Sequence, residues 1–257
     1  MEKPISTATN VDVDNVKLLE TSAAEWWDPS GIQTAIHSLN PCRIALIIDG
    51  LISTGKIKAE DRNKPDVLKG IDILDVGCGA GILTEALARL KANVVGLDPS
   101  EELVKIARDH MKGQSLNIEY ITEFIEDYSI KNPEKYDAVV ASEVVEHVPD
   151  QKSFLLGMAK CVKPNGSLFI TTPNRTMFSY VGTKIAYMLK VIVKDSHTWS
   201  HFITPSEVAV ILKEQNCNTI LVRGLWFTPF FNTFCFAPYQ GMQYALHAVK
   251  YDNQKQK

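Results

Sequence analysis

From Ile71 onward, short apolar runs alternate with longer stretches whose apolar residues recur every three or four positions. The runs Ile71 to Val76, Asn93 to Leu97, Ile118 to Ile121, Ala138 to Ala141 and Ser167 to Thr172 have the length and composition of buried strands. Ile82 to Leu90, Glu101 to Met111 and Gln151 to Val162 carry the helical period. Strands separated by helices predict an α/β fold, a parallel sheet with helices on both faces. Thr219 to Arg223 and Tyr244 to Lys250 add a final antiparallel pair at one edge, giving a seven-stranded, mostly parallel sheet.

Ahead of the alternation, Val16 to Ile52 reads as N-terminal helices with turns at Trp26 to Gly31 and at Asn40-Pro41, and Lys56 to Lys69 as a charged surface loop. Thr204-Pro205-Ser206-Glu207 predicts a helix start, with Thr204 as cap, Pro205 in the first turn and Glu207 closing a capping box. Thr176 to Ser200 interrupts the pattern and reads as an amphipathic insertion, its apolar residues interleaved with Lys184, Lys190 and Lys194. Residues 1–15 are expected to be a flexible N-terminus, and residues 16–257 a single domain.

At 45% hydrophobic and 22% charged residues, the 257-residue chain has the balance of a folded protein. Lys plus Arg number 27 against 30 Asp plus Glu, a formal charge of −3, which lacks the basic excess that nucleic-acid binding needs. Five scattered cysteines without a CxxC pair fit neither a disulfide framework nor a zinc site, and suit a reducing compartment. The first fifteen residues carry neither a secretory nor a transit pattern. The longest apolar region, Phe178 to Val193, is broken by Lys184 and Lys190, so no membrane span is expected.

Two motifs carry candidate chemistry. Asp75-Val76-Gly77-Cys78-Gly79-Ala80-Gly81 joins a strand to a helix, where glycines admit a ligand close to the backbone and the helix N-terminus offers amides to it. Ile82 stands where a dinucleotide fingerprint would need glycine. Asp98 ends the next strand, placed to accept hydrogen bonds from ribose hydroxyls; the plainer reading is a tight turn with Asp98 capping the following helix. Glu143, Glu146 and His147 follow the fourth strand, and a helical turn there would put them on one face, able to hold a divalent ion: Mg²⁺ or Mn²⁺ by the carboxylates, Zn²⁺ or Co²⁺ with the imidazole. His37, His110 and His247 are read as structural, and His197 and His201 as remote candidates.

Trp26-Trp27-Asp28, Asn40-Pro41-Cys42-Arg43, the 75–81 loop, Ser142 to Val148, Lys163-Pro164-Asn165-Gly166 and His197-Thr198-Trp199 together resemble the ubiquinone biosynthesis O-methyltransferases, closest to their mitochondrial form. The resemblance spans about Val16 to Lys250 and implies the Rossmann-like class I methyltransferase fold, which uses S-adenosylmethionine (SAM). It implies that Arg43, Asp75, Gly77, Gly79, Gly81, Asp98 and Ser142 bind SAM, and that Glu143, Glu146 and His147 are catalytic and hold Mg²⁺ or a similar metal. Ala80 replaces a glycine of the family loop, and Ser142 stands where bacterial members have Met. The implied substrates are polyprenylated catechols, acted on at an anionic membrane surface, the matrix side of the mitochondrial inner membrane, within a multi-subunit complex. The alternatives are a metal-independent enzyme with His147 as base, or a non-catalytic cofactor-binding subunit.

Overall fold

The computed structural model describes residues 10, 26–28, 31, 34–188, 199–228 and 231–252. The expected flexible N-terminus, save Asn10, and the segment holding Lys190, Lys194 and His197 lie outside them. A helix, α1 (Thr34–Ser53), precedes the alternating units β1 (Asp72–Val76), α2 (Ile82–Arg89), β2 (Asn93–Asp98), α3 (Glu101–Met111), β3 (Ile118–Thr122), α4 (Ile125–Lys131), β4 (Tyr136–Ser142), α5 (Gln151–Cys161) and β5 (Val162–Pro173). Then come α6 (Met177–Met188), α7 (Pro205–Lys213), β6 (Cys217–Thr228), β7 (Thr233–Ala237) and β8 (Gln243–Lys250).

All eight strands lie in one sheet of order β3-β2-β1-β4-β5-β8-β6-β7, one strand more than the hydrophobic pattern predicts. The first five pair in parallel, and β8, β6 and β7 antiparallel. The expected terminal pair is therefore present but interior: β8 inserts between β5 and β6, and the unforeseen β7 takes the edge. β7 is five half-exposed residues, too short and too weakly buried for its alternation to stand out. Helix α4 also went unforeseen between the third and fourth strands, because seven residues give barely two turns of period.

Strand parity divides the core. Ile73, Ala138, Val140, Phe169 and Ala245 face α1 and α2, while Leu74, Val76, Val139, Ala141, Leu168, Ile170 and Leu246 face α4, α5 and α7. The predicted capping box of α7 forms in full, with Thr204 Oγ1 accepting from the Glu207 backbone and Glu207 accepting from the Thr204 amide.

The turn expected at Asn40-Pro41 does not occur: α1 runs through Pro41. Packing prevails over the missing amide, because Leu39, Leu46, Ile47 and Leu51 are buried on the sheet, and the Arg43 guanidinium donates to the Ile36 carbonyl and to Asn40 Oδ1 around that turn. By length and composition α1 could cross a membrane. Its apolar residues instead form the core layer over β1, β4 and β5.

Gly50 lets α1 approach the sheet, since a Cβ there would lie 2.4 Å from the Phe169 ring. Phe169 is buried and stacked on His247 at 4.5 Å, so it has no room to yield. Gly50→Val is expected to lower stability by about 2 kcal/mol through overpacking; urea unfolding gives the value, and a variant as stable as the parent contradicts this packing.

Candidate active site

The loop between β1 and α2 has the shape its glycines allow. Gly77, Gly79 and Gly81 all adopt positive φ, at 71°, 54° and 88°. At Gly79 a Cβ would also meet the Trp26 ring at 2.7 Å, and at Gly81 it would meet the Tyr120 hydroxyl at 2.2 Å, so space and conformation exclude a side chain together. The loop is tied to the neighbouring strand: the Gly77 and Cys78 amides donate to the Leu97 carbonyl, and the Gly79 amide donates to Asp98 Oδ2 at 2.9 Å. Asp98 Oδ1 accepts the Ser100 amide at 2.9 Å. Ser100, rather than Asp98, caps α3 by accepting from the Leu103 amide. Gly81 is the N-cap of α2, so no side chain caps the first-turn amides of that helix.

Parity explains the next group. Asp75 shares the Ile73 side of β1 and Ser142 the Val140 side of β4, so both face α1, which brings Arg43 to them. Arg43 is buried at 4% exposure and donates to Ser142 Oγ at 3.1 Å. Its Nε is enclosed without a partner, and the guanidinium makes no ion pair within the described residues. Burial lowers its pKa to about 10 despite the nearby carboxylates of Asp75 and Glu143. Asp75 accepts from Thr84 Oγ1 at 2.6 Å, and burial raises its carboxyl to about 6 against that bond and the field of Arg43.

Glu143, Glu146 and His147 emerge at the same edge, yet the segment does not turn as one helix. Glu143 stands at φ 57°, a left-handed conformation that costs a residue with a Cβ about 1 kcal/mol, and only Val145–His147 forms a 3-10 turn. The two carboxylates are then held from opposite faces of the sheet. Gln243 Nε2, on the α1 side, donates to Glu143 Oε2 at 3.0 Å, and Thr172 Oγ1, on the far side with Tyr244, donates to Glu146 Oε2 at 2.7 Å. His147 Nε2 lies 3.9 Å from Glu146 Oε1. Among the described residues no three His, Cys, Asp or Glu side chains close around a common point. The donor chemistry nevertheless fits a hard cation, because Glu143 Oε1 and Glu146 Oε1 are both buried without a hydrogen-bond partner.

The histidines read as structural have structural partners: His37 with the Trp26 carbonyl, His110 with Glu85, and His247 with Ser167, burial lowering the His247 pKa to about 4. His201 contributes its carbonyl to Gln151. Gln243 and Tyr244 escape a motif-based reading, since only the antiparallel return of β8 beside β5 brings them to the edge, where Tyr244 lies opposite Thr172.

A methyltransferase-domain family model matches residues 56–222. The mitochondrial ubiquinone biosynthesis O-methyltransferases of Bos taurus and Rattus norvegicus are 39% and 40% identical to the chain, over 99% and 97% of it and 69% and 72% of their own lengths. The ubiquinone biosynthesis O-methyltransferase of Proteus mirabilis is 34% identical over 98% of both chains. Magnesium protoporphyrin IX methyltransferase from Synechocystis PCC 6803, solved with bound SAH, superposes with a TM-score of 0.62 at 18% identity, over 92% of this chain and 93% of that one, a likeness of fold.

The site sets a pH dependence. Burial, reinforced for Glu143 by the charge of Glu146, holds both carboxyls well above their ordinary value of 4.5. The folded chain keeps protons that the unfolded chain releases above about pH 4.5, so this pair destabilises the fold progressively as pH rises from there through neutrality. Glu143→Gln is expected to gain on the order of 2 kcal/mol over the parent at pH 8 and little at pH 4. Paired melting curves across that range measure it, and parallel pH profiles contradict it.

Proposed function

Because the chain belongs to the family of ubiquinone biosynthesis O-methyltransferases, enzymes that take their methyl group from SAM, we propose that it methylates a hydroxyl of polyprenylated catechols, namely polyprenyl dihydroxybenzoate and demethylubiquinol. The observation that carries the reading is the meeting, at one sheet edge, of the loop–Asp98 closure, a buried Arg43 and two carboxylates, the first without a carboxylate partner and the others with unpartnered oxygens among the described residues.

Each group has a task in that reaction. Gly77, Gly79 and Gly81 let the adenosyl group lie against the backbone, and Asp98, its carboxylate oriented by the Gly79 and Ser100 amides, accepts from the ribose. Arg43, a cation already desolvated, pairs with the amino-acid carboxylate of SAM, with Ser142 holding it and the nearby Asp75, which completes the SAM-binding set, adding its field. SAM supplies a sulfonium methyl for in-line attack by the acceptor oxygen. A catechol hydroxyl attacks poorly while protonated, its pKa being about 10 as in tyrosine. Glu143, Glu146 and His147 would hold a divalent ion, Mg²⁺ before Zn²⁺, Mn²⁺ or Co²⁺, which supplies a lowered acceptor pKa. The 3.9 Å approach of His147 to Glu146 favours a second route to the same end, with the imidazole as base and the carboxylate steadying its charge.

Turnover of a short-chain prenylated catechol separates the two routes. Removal of divalent ions with EDTA is expected to abolish methylation, Mg²⁺ to restore it, and SAM binding to persist throughout. Full turnover in a metal-free sample assigns the proton to His147.

We also place the enzyme in mitochondria, as its relatives' names suggest, on the matrix side of the inner membrane and within a multi-subunit complex. Helix α6 follows β5 at the catalytic edge, and the β6–β7 connection reaches past that edge because β6 runs beyond the start of β8. Met177, Phe178 and Val181 are exposed there, Phe178 in ring contact with Trp226 and Tyr239, an apolar surface suited to the lipid that retains a polyprenyl tail. Co-sedimentation with cardiolipin-containing liposomes is expected, reduced severalfold by Phe178→Glu with Val181→Glu. A parent protein that stays in the supernatant contradicts surface docking.

A further inference from the structure

The glycine loop is braced not only by Asp98 but also by residues that no motif assigns to it. Trp27, from the segment before α1, donates its indole N–H to the Ala80 carbonyl at 3.0 Å. The same indole lies face to face on His110 of α3, with ring centroids 3.5 Å apart and planes 4° from parallel, and meets the edge of His37 at 5.9 Å. His110 Nδ1 is 2.6 Å from Glu85 Oε1, and Glu85, fully buried on α2, takes Arg89 on its other oxygen at 2.7 Å. Since α2 begins at the loop itself, the contacts form a closed circuit: loop carbonyl, indole, imidazole, buried carboxylate, and back through α2 to the loop. Three helices and the N-terminal segment thus converge on one carbonyl.

We propose that Trp27, oriented by the His110–Glu85 pair, is a positioning residue for SAM, fixing the Ala80 carbonyl so that the loop keeps its open side free for the adenosyl group. The inference rests on the reading of this loop as the SAM seat. The peptide unit that carries the Ala80 carbonyl ends at Gly81, whose φ of 88° places no side chain against it; its amide closes a turn on the Cys78 carbonyl at 2.9 Å, and its carbonyl is held from outside the loop by Trp27. Asp98 constrains the amide of Gly79, and Trp27 constrains the carbonyl one residue on. An indole fits because a rigid donor stacked on a ring loses little freedom when it bonds.

Calorimetric titration with SAM, paired with steady-state kinetics on a prenylated catechol, tests the role. Trp27→Phe keeps the ring and removes the donor. It is expected to raise the Kd and KM for SAM three- to tenfold while kcat at saturating SAM and the KM for catechol stay within twofold. His110→Gln, which leaves Glu85 a donor and removes the ring beneath Trp27, should give a similar rise, and the double variant should rise no further than the larger single one, since both act through one bond. Asp98→Ala is the reference and should weaken SAM at least thirtyfold. Unchanged SAM binding in Trp27→Phe beside a weakened Asp98→Ala overturns the positioning role alone. Unchanged binding in Asp98→Ala removes SAM from this loop, and the proposal with it. Strictly additive losses in the double variant, or a fall in kcat and the catechol KM alongside SAM affinity, reduce Trp27 to ordinary packing and overturn it as well. Should Trp27→Phe fail to fold, the titration of His110→Gln decides the same question.

Discussion

One hydrogen bond, from the Gly79 amide to the Asp98 carboxylate, joins the ends of two neighbouring parallel strands, and the remaining site is arranged around it. It exists because β1 and β2 pair with Val76 opposite Leu97, which brings the loop leaving one strand against the last residue of the other. The loop can turn that tightly only with three glycines at positive φ. A buried carboxylate without donors would be costly, and here two backbone amides donate to it. Backbone geometry and, on the proposed reading, ligand recognition are thereby one feature of the fold.

The sheet distributes the other charged groups. Parity sends Asp75 and Ser142 toward α1, where Arg43 has no ion pair among the described residues, and it separates the partners of Glu143 from those of Glu146. Three charged side chains, Arg43, Asp75 and Glu146, are buried at 4%, 2% and 2% exposure, each supported by neutral hydrogen bonds more than by opposite charge. Such an arrangement costs stability in the free protein, and ligands of complementary charge would relieve it: on the proposed reading, the SAM carboxylate at Arg43 and a divalent ion at the glutamates. The raised carboxyls of Glu143 and Glu146 are the measure of that strain.

Much of this was legible in the sequence, where an element's own residues determine it. The glycine loop, Asp98, the capping box at Thr204 and the first five strands are set by local chemistry, and each lies within a few residues of its expected position. What escaped depends on distant contacts. Pro41 suggests a break, yet α1 continues because the sheet holds its apolar face. β7 exists as a partner for β6 and has little pattern of its own. The Glu-x-x-Glu-His spacing suggests one helical face, but the left-handed turn at Glu143, whose amide still donates to Thr171 of β5, divides it. Trp27 was visible as part of a motif without a task, because its partners Ala80 and His110 lie 53 and 83 residues away, read from their positions.

On the proposed reading SAM lies between Asp98 and Arg43 at the C-terminal edge of the sheet. A crystal structure of the protein with SAH tests it most directly. Ribose hydroxyls are expected within hydrogen-bond reach of the Asp98 carboxylate, about 3 Å, and the ligand carboxylate against the Arg43 guanidinium. Density for SAH at another place, or in this cleft with Asp98 and Arg43 both out of contact, would contradict it.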